Sequence, residues 1–442
     1  MKFKVEQISG GRSRRALLSA AGVALTTGLT GCLGALEGDE DETENVSGGD
    51  GDTESDEEST DSSDETAELR ETLAAADPYR MLQYGPDHVG NTVDAGPTAD
   101  VDAVWTFREG ADDSHYEIGT PAIVDGTVYV PENHSVGDDS AETVVYALDG
   151  ATGDIEWEWS YPRGTTFGST VVAEGAVVLI FGGSVVALEA DAGTERWRLE
   201  RDFSDAVTVA DGTAYAINTT YADPPTLVAI DLETGRERWT KPLGNERMYW
   251  PTPPAVADGT VYQGGMEFTA LSAADGERLW SKDFGNAVTG SPTVTDDACY
   301  VPLGDGTIAA LGRDGTLRWR QPVEHGGHGS GLNSVSSPAV DDGTLYVTNS
   351  WRLTALDADD GAQHWTTETA GDRPPVVADG VVYVSGLNAM GAHDGATGDC
   401  LWRYETDASS SSGNKVAPVV GETAFFPSAG LQALREADAT SD

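Results

Sequence analysis

The chain is 442 residues long and carries 26 basic against 75 acidic residues, a formal net charge of −49. That balance argues against nucleic acid as a partner, because nucleic-acid recognition calls for a basic face. Three cysteines in a chain of this length exclude a scaffold held by a disulfide framework.

At the N-terminus, Lys2, Lys4 and Arg12 precede Ser13-Arg14-Arg15 and an apolar stretch over residues 16–31. The stretch is short for a membrane span, and it ends in Leu29-Thr30-Gly31-Cys32. The arginine pair resembles a twin-arginine export signal and the last four residues resemble a lipobox. The resemblance implies a signal peptide over residues 1–31 and a lipid on Cys32. It also implies a location at the extracellular face of the cell membrane, which an uncleaved anchor would leave unchanged. Residues 32–75 follow. Within them, 16 of the 32 residues from 37 to 68 are acidic and none is basic. Such a segment repels itself and buries no apolar surface, so an extended disordered tether is expected, with a short helix over residues 69–76.

From residue 76 onward the chain is repetitive. After a lead-in at residues 81–97, eight tryptophans recur at near-even spacing: Trp105, Trp157, Trp197, Trp239, Trp280, Trp319, Trp365 and Trp402. Seven of them end phrases such as ALDGATGDIEW, AIDLETGRERW and AHDGATGDCLW. A period of about 40 residues marks a repeat architecture. Each repeat reads as an apolar run, an Asp-Gly turn, a β-branched and aromatic run, a second turn, an apolar run ending in Ala-Leu-Asp, and a tight turn into the tryptophan-bearing run. Asp-Gly between two such runs is a hairpin signal. Four antiparallel strands per repeat make one propeller blade. The last repeat stops after three strands at Leu434, and the run around Trp105 has no three strands before it. A closed ring removes unpaired edges. The expected fold is therefore an all-β, eight-bladed propeller over residues 76–442, its last blade closed by the N-terminal strand. The indoles are expected to tie neighbouring blades together rather than to hold a cofactor.

The A-x-D-x-x-T-G-x-x-x-W phrase, matched closely at residues 149–157, 231–239 and 394–402, resembles the repeat of the PQQ-like β-propeller superfamily. That superfamily contains quinoprotein alcohol dehydrogenases and non-enzymatic, BamB-like lipoproteins of outer-membrane assembly. The dehydrogenase resemblance implies adjacent cysteines near the quinone, a catalytic Asp and Ca²⁺ ligands. Here Cys32, Cys299 and Cys400 are the only cysteines and no two are adjacent. Cys299 and Cys400 are expected to remain free thiols. No catalytic residue, cofactor site or metal site is assigned. His325, His328 and Glu324 have the nearest thing to metal-ligand spacing.

Strand alternation sorts the turns between two faces. The first-to-second and third-to-fourth turns share one face and are expected to be too short to hold a site. The second-to-third and blade-to-blade loops share the other, and it collects the irregular residues, including five of the seven histidines if His88 in the lead-in is counted. Binding residues gather on loops held by a rigid scaffold, and Trp, Tyr and Arg dominate interface hot spots. Arg247, Tyr249, Trp250, Trp351 and Arg352 are accordingly the candidate partner-binding residues. The sequons at Asn45, Asn133 and Asn218 are possible glycan acceptors. Residues 69–442 still hold 58 acidic against 21 basic residues, mostly Arg. This is similar to the balance of proteins from extreme halophiles, haloarchaeal ones in particular. The expected function is that of a lipid-anchored, monomeric scaffold binding an envelope protein or a surface glycan. The alternative is a PQQ-dependent oxidoreductase.

Overall fold

The computed structural model describes residues 58–108, 116–135, 141–162, 169–219, 225–244, 252–326, 335–406, 415–428 and 430–437. Eight sheets, each built on four antiparallel blade strands, follow one another around a ring, with Tyr116–Ile118 added to the first and Asn91–Thr92 pairing in parallel with the inner strand of the seventh. Blade one runs outward through Ala122–Val124, Thr127–Ser135, Ala141–Asp149 and Ile155–Tyr161. Blades two to seven repeat this order, from Val171–Ala173 in blade two to Cys400–Glu405 in blade seven. Blade eight consists of Val419–Val420, Thr423–Pro427 and Leu431–Glu436, and Val101–Phe107 supplies its outer strand. Val101 pairs with Glu436 and Phe107 with Leu431, so the first strand after the lead-in seals the ring as expected. The Asp-Gly hairpins have both turn residues at positive φ, 52° and 82° at Asp125 and Gly126, and 46° and 69° at Asp258 and Gly259. That is the primed turn matching the twist of the flanking strands.

The tryptophans bind blade to blade. Trp105 donates its indole N–H to the carbonyl of Gly150 at 2.8 Å, and Trp197 to Leu232 at 2.7 Å, each acceptor lying at the head of the next blade's tight turn. Trp157, Trp239, Trp280, Trp319 and Trp365 do the same. The indole face covers a glycine of that turn: a Cβ on Gly193 would lie 2.5 Å from the ring of Trp157, and one on Gly235 2.6 Å from that of Trp197. Blade eight has no such turn. Trp402 instead donates to the carbonyl of Pro97 at 2.7 Å, where Tyr383 also donates at 3.0 Å. The lead-in thus provides the missing acceptor.

The lead-in does more than begin the ring: it runs around the inside of it. Each inner strand leaves one edge facing the axis, with N–H groups that need acceptors. Carbonyls of the lead-in and of the two residues before it accept from them in order. Tyr79 takes Ile123 of blade one, Arg80 takes Val172 of blade two, and Pro86 takes Val256 of blade four. Asp87 takes Val294 of blade five, Val89 takes Val340 of blade six, and Gly90 takes Val377 of blade seven. Ala95 takes Glu422 in the turn of blade eight. Tyr79, Met81, Gln83, Tyr84 and His88 are buried along the way. His88 belongs to this axial packing and not to the loop face, a correction to the grouping of the histidines by sequence.

Before the lead-in lies one helix, α1 (Glu58–Ala75). It begins well inside the acidic segment read as an extended tether. Isolated helices of this length are marginal, and packing is what stabilises them. Leu69 and Leu73, one turn apart, are buried in the core cluster of blades one, seven and eight. Arg70 donates to Asp149 at 2.7 Å. The helix lies on the tight-turn face, against Gly126 of blade one and Gly421 of blade eight.

Candidate functional site

On the loop face, the second-to-third hairpin of blade six departs from its neighbours. Asn349 donates its backbone N–H to Arg352 at 2.9 Å, closing a two-residue turn on Ser350 and Trp351. Both turn residues lie in the left-handed region, at φ 51° and 68°. A bulky side chain there is a steric outlier that surrounding packing has to hold in place. The loop from blade five does so. Gly326 is pressed so close to the Ser350 carbonyl that a Cβ would sit 1.9 Å from it. The Gly326 N–H donates to the Asn349 carbonyl at 3.2 Å, and Asn349 donates its side-chain N–H to Val323 at 3.1 Å. His325 Nε2 lies 3.0 Å from Ser350 Oγ, and Arg352 Nη1 lies 3.7 Å from Glu324. Trp351 and Arg352 remain half-exposed. The adjoining hairpin of blade seven presents Leu387, also exposed.

The structure therefore joins Trp351 and Arg352 to Glu324 and His325, residues that sequence reading had kept in two separate groups. Arg247, Tyr249 and Trp250 lie outside the described residues, as do Cys32 and His328. Glu324 and His325 face Arg352 and Ser350, and no group of three His, Cys, Asp or Glu arranged for a metal occurs among the described residues. Asn133 and Asn218 are buried in second strands, Asn133 accepting from Thr143, so neither is presented at the surface. Asn45 lies outside the described residues.

Sequence reading missed two charged clusters near the seam of the ring. Arg108, ending the strand that closes blade eight, pairs with the fully buried Glu132 of blade one at 3.2 Å and donates to the Tyr146 hydroxyl at 2.7 Å. Its guanidinium also stacks on Phe107 and Tyr146, which makes this a lock on the seam. At the loop-face end of the axis, Lys415 of blade eight is buried beside Arg373 of blade seven and Glu117 of blade one.

The tight-turn face is not featureless, contrary to the expectation from its short turns. A cavity of about 550 Å³ opens between blades four, five and six. Asp87 and Val89 of the lead-in line it, together with Asp258, Asp296, Asp297, Tyr300 and Arg313. Burial, with a smaller contribution from Asp296, raises the pKa of Asp87. Arg313 is spent as a strut: it donates to the Tyr262 hydroxyl and to the carbonyls of Thr295 and Ala257.

The donor set that a quinone and its calcium require is not met by the described residues. Cys299 is a free thiol buried in the second strand of blade five, its pKa pushed up to about 12 by burial. Cys400 lies on the outer strand of blade seven. It is not adjacent to another cysteine, and the axis is taken by the lead-in.

Comparison with known proteins gives a consistent fold. The sequence profile of the family described as outer membrane protein assembly factor BamB matches residues 90–241, 181–331, 225–373 and 304–438. The serine/threonine-protein kinase AfsK of Streptomyces griseus is 30% identical over 154 residues, 31% of this chain and 19% of that protein. The outer membrane protein assembly factor BamB of Xanthomonas campestris pv. campestris is 26% identical over 294 residues, 51% of this chain and 69% of that one. The chain thus spans about a fifth of the kinase and about two thirds of the assembly factor. The crystal structure of BamB from Moraxella catarrhalis superposes with a TM-score of 0.59 at 15% identity, covering 76% of this chain and all of that one. Quinohemoprotein alcohol dehydrogenase ADHIIG from Pseudomonas putida HK5 superposes with a TM-score of 0.62 at 13% identity, covering 83% and 81%. At such identities the two structures share the fold and nothing finer.

Proposed function

Because the chain belongs to the family described as outer membrane protein assembly factor BamB, we propose that it is a non-catalytic scaffold whose loop face docks another envelope protein. The observation that carries this reading is the Trp351 turn: a half-exposed indole kept in a left-handed conformation by a neighbouring loop, with Arg352 beside it. Strain of this kind persists where surrounding structure over-determines it, and it clusters at binding sites. The reading is also supported by the way the rest of the surface is used. Helix α1 covers part of the tight-turn face and the lead-in fills the axis. A chain tethered through a lipidated Cys32 at the outer face of the cell membrane would leave the loop face to a partner.

The test is crosslinking and mass spectrometry on native membranes in molar salt, comparing the wild type with W351A and with the W250A/W351A pair. Recovery of the crosslinked partner is expected to fall at least tenfold in the pair, in line with the roughly 1.4 kcal/mol per decade of a hot-spot loss. An unchanged set of partners, or a glycan in place of a protein, overturns the proposal. The same preparations read the anchor. A diacylglyceryl mass on the peptide that holds Cys32 supports it, and a Cys32 peptide without that mass overturns it.

A further inference from the structure

Blade one departs from its neighbours at the place where α1 touches it. In blades two and three, the carboxylate heading the tight turn is held by the arginine just before the blade's own tryptophan. Arg196 pairs with Glu189 at 2.6 Å and Arg238 with Asp231 at 2.8 Å. Blade one has the carboxylate, Asp149, but Glu156 stands where the arginine would be. The cation comes from outside the blade instead: Arg70 of α1 reaches Asp149 Oδ2 at 2.7 Å, while Oδ1 accepts from the Ala151 and Thr152 N–H groups of the turn.

The surface under the helix is shaped to match. A Cβ on Gly150 would lie 3.0 Å from Leu73 Cδ1, and one on Gly421 would lie 3.2 Å from the Thr72 methyl group. In blades two to six the position of Gly150 is filled by Ala190, Leu232, Ala273, Arg313 and Ala358. Attachment is nevertheless slight. Leu69 and Leu73 are the buried side chains of α1 among the described residues, and Arg70 is 51% exposed, where an ion pair contributes little. An isolated helix of 18 residues is marginal by itself.

Charge opposes the docking. The helix holds six acidic residues to one basic, and the ring beneath it carries nearly three acidic residues for each basic one. Asp125 and Glu422 adjoin the two glycines, Gly126 and Gly421, that α1 covers. At about 1 M salt the Debye length is roughly 3 Å, which preserves a contact pair of 2.7 Å and screens charges farther apart. At about 0.1 M it is roughly 10 Å, and repulsion across the contact returns.

We propose that α1 is a salt-gated strap. It closes on blades one and eight through Arg70 and the two leucines in concentrated salt, and it opens as the ionic strength falls while the ring stays closed. Opening converts a stretch of about 27 Å as helix into one of up to about 60 Å as extended chain. In a chain anchored through Cys32, a consequence that rests on the reading above, the strap sets how far the ring can stand from the membrane.

Amide hydrogen exchange on the full chain, read by mass spectrometry at about 1 M and about 0.1 M NaCl, tests this. Peptides covering residues 69–75 are expected to exchange at least tenfold faster at the lower salt, while those from Thr127–Ser135 of blade one change by less than about threefold. E156R gives Asp149 an arginine within its own blade, so it should speed exchange of α1 already at the higher salt and leave that of the blade unchanged. E65K/E68K, at exposed positions of the helix, should keep α1 protected at the lower salt. Exchange of α1 in step with blade one at both salts overturns the proposal. So does E156R with α1 as slow as in the wild type, or E65K/E68K with the salt dependence of the wild type. Neither lipid nor partner enters the measurement, so its failure is distinct from failure of the loop-face docking reading.

Discussion

His88 shows how one side chain reports on the axis. It is 1% exposed, sits at φ 59°, and its Nδ1 has no hydrogen-bond partner. Burial lowers its pKa from 6.5 to about 4, against a small opposing contribution from the Pro292 carbonyl. The unfolded chain therefore binds more protons than the folded one between those values. The stability tied to His88 is complete above pH 6.5 and is lost as the pH falls toward 4. The size is on the order of 3 kcal/mol, 1.36 for each pKa unit. H88N, whose side chain tolerates the left-handed backbone, is expected to lack this component. Unfolding curves of the two proteins should converge by that amount between pH 6.5 and 4. Parallel curves would mean that the imidazole is hydrated and not sealed in the axis. Nothing in the local sequence separates His88 from a surface histidine, because what surrounds it, Pro292 among them, lies far away in the chain.

Among the elements, the tight turns allow a clean comparison. Gly235 and Gly259 share a φ of 69°, but a Cβ on the first would meet the Trp197 ring at 2.6 Å while the second has nothing within 4 Å. G259A is expected to cost about 1 kcal/mol, the left-handed penalty alone. G235A should cost roughly 1–3 kcal/mol more for overpacking against the indole. Equal losses in chemical denaturation would show that the indole yields freely and does not fix the turn. The T-G-x-x-x-W phrase was legible in sequence because glycine and tryptophan recur at one spacing. The same recurrence led to the expectation that the indoles tie neighbouring blades together, and the structure adds the direction: the glycine of one blade meets the tryptophan of the preceding one. The Trp351 hairpin follows the same division. Its aromatic and its arginine stood out by composition, whereas the left-handed turn and the clasp by the blade-five loop exist only in three dimensions.

For the whole molecule, closure depends on two devices acting at opposite ends of the blades. The strand Val101–Phe107 seals the outside of blade eight, and the lead-in caps inner strands around the axis. Seven backbone hydrogen bonds at about 1 kcal/mol net each approach the entire stability of an ordinary domain. A chain beginning at residue 98 keeps the sealing strand but loses the axial segment, including the Pro97 carbonyl that receives Trp402 and Tyr383. It is expected to lose its cooperative unfolding transition, whereas a chain beginning at residue 76, without α1, should retain one. Cooperative melting of the shorter chain by circular dichroism would show that the blades hold the ring without their inner support.

By itself the sequence determined the period, the strand order within a blade, the number of blades and the sharing of the last one between the chain's two ends. These follow from hydrophobic alternation, turn chemistry and the need to leave no open edge, all of which are written locally and repeated. The tertiary structure alone decided what fills the axis, which face keeps a cavity, and which loop residues come together. The physical reason is that the lead-in and the loops occur once each. A segment that occurs once has no repeat to reveal its place, and its hydrogen bonds are made to strands that lie up to some 330 residues away.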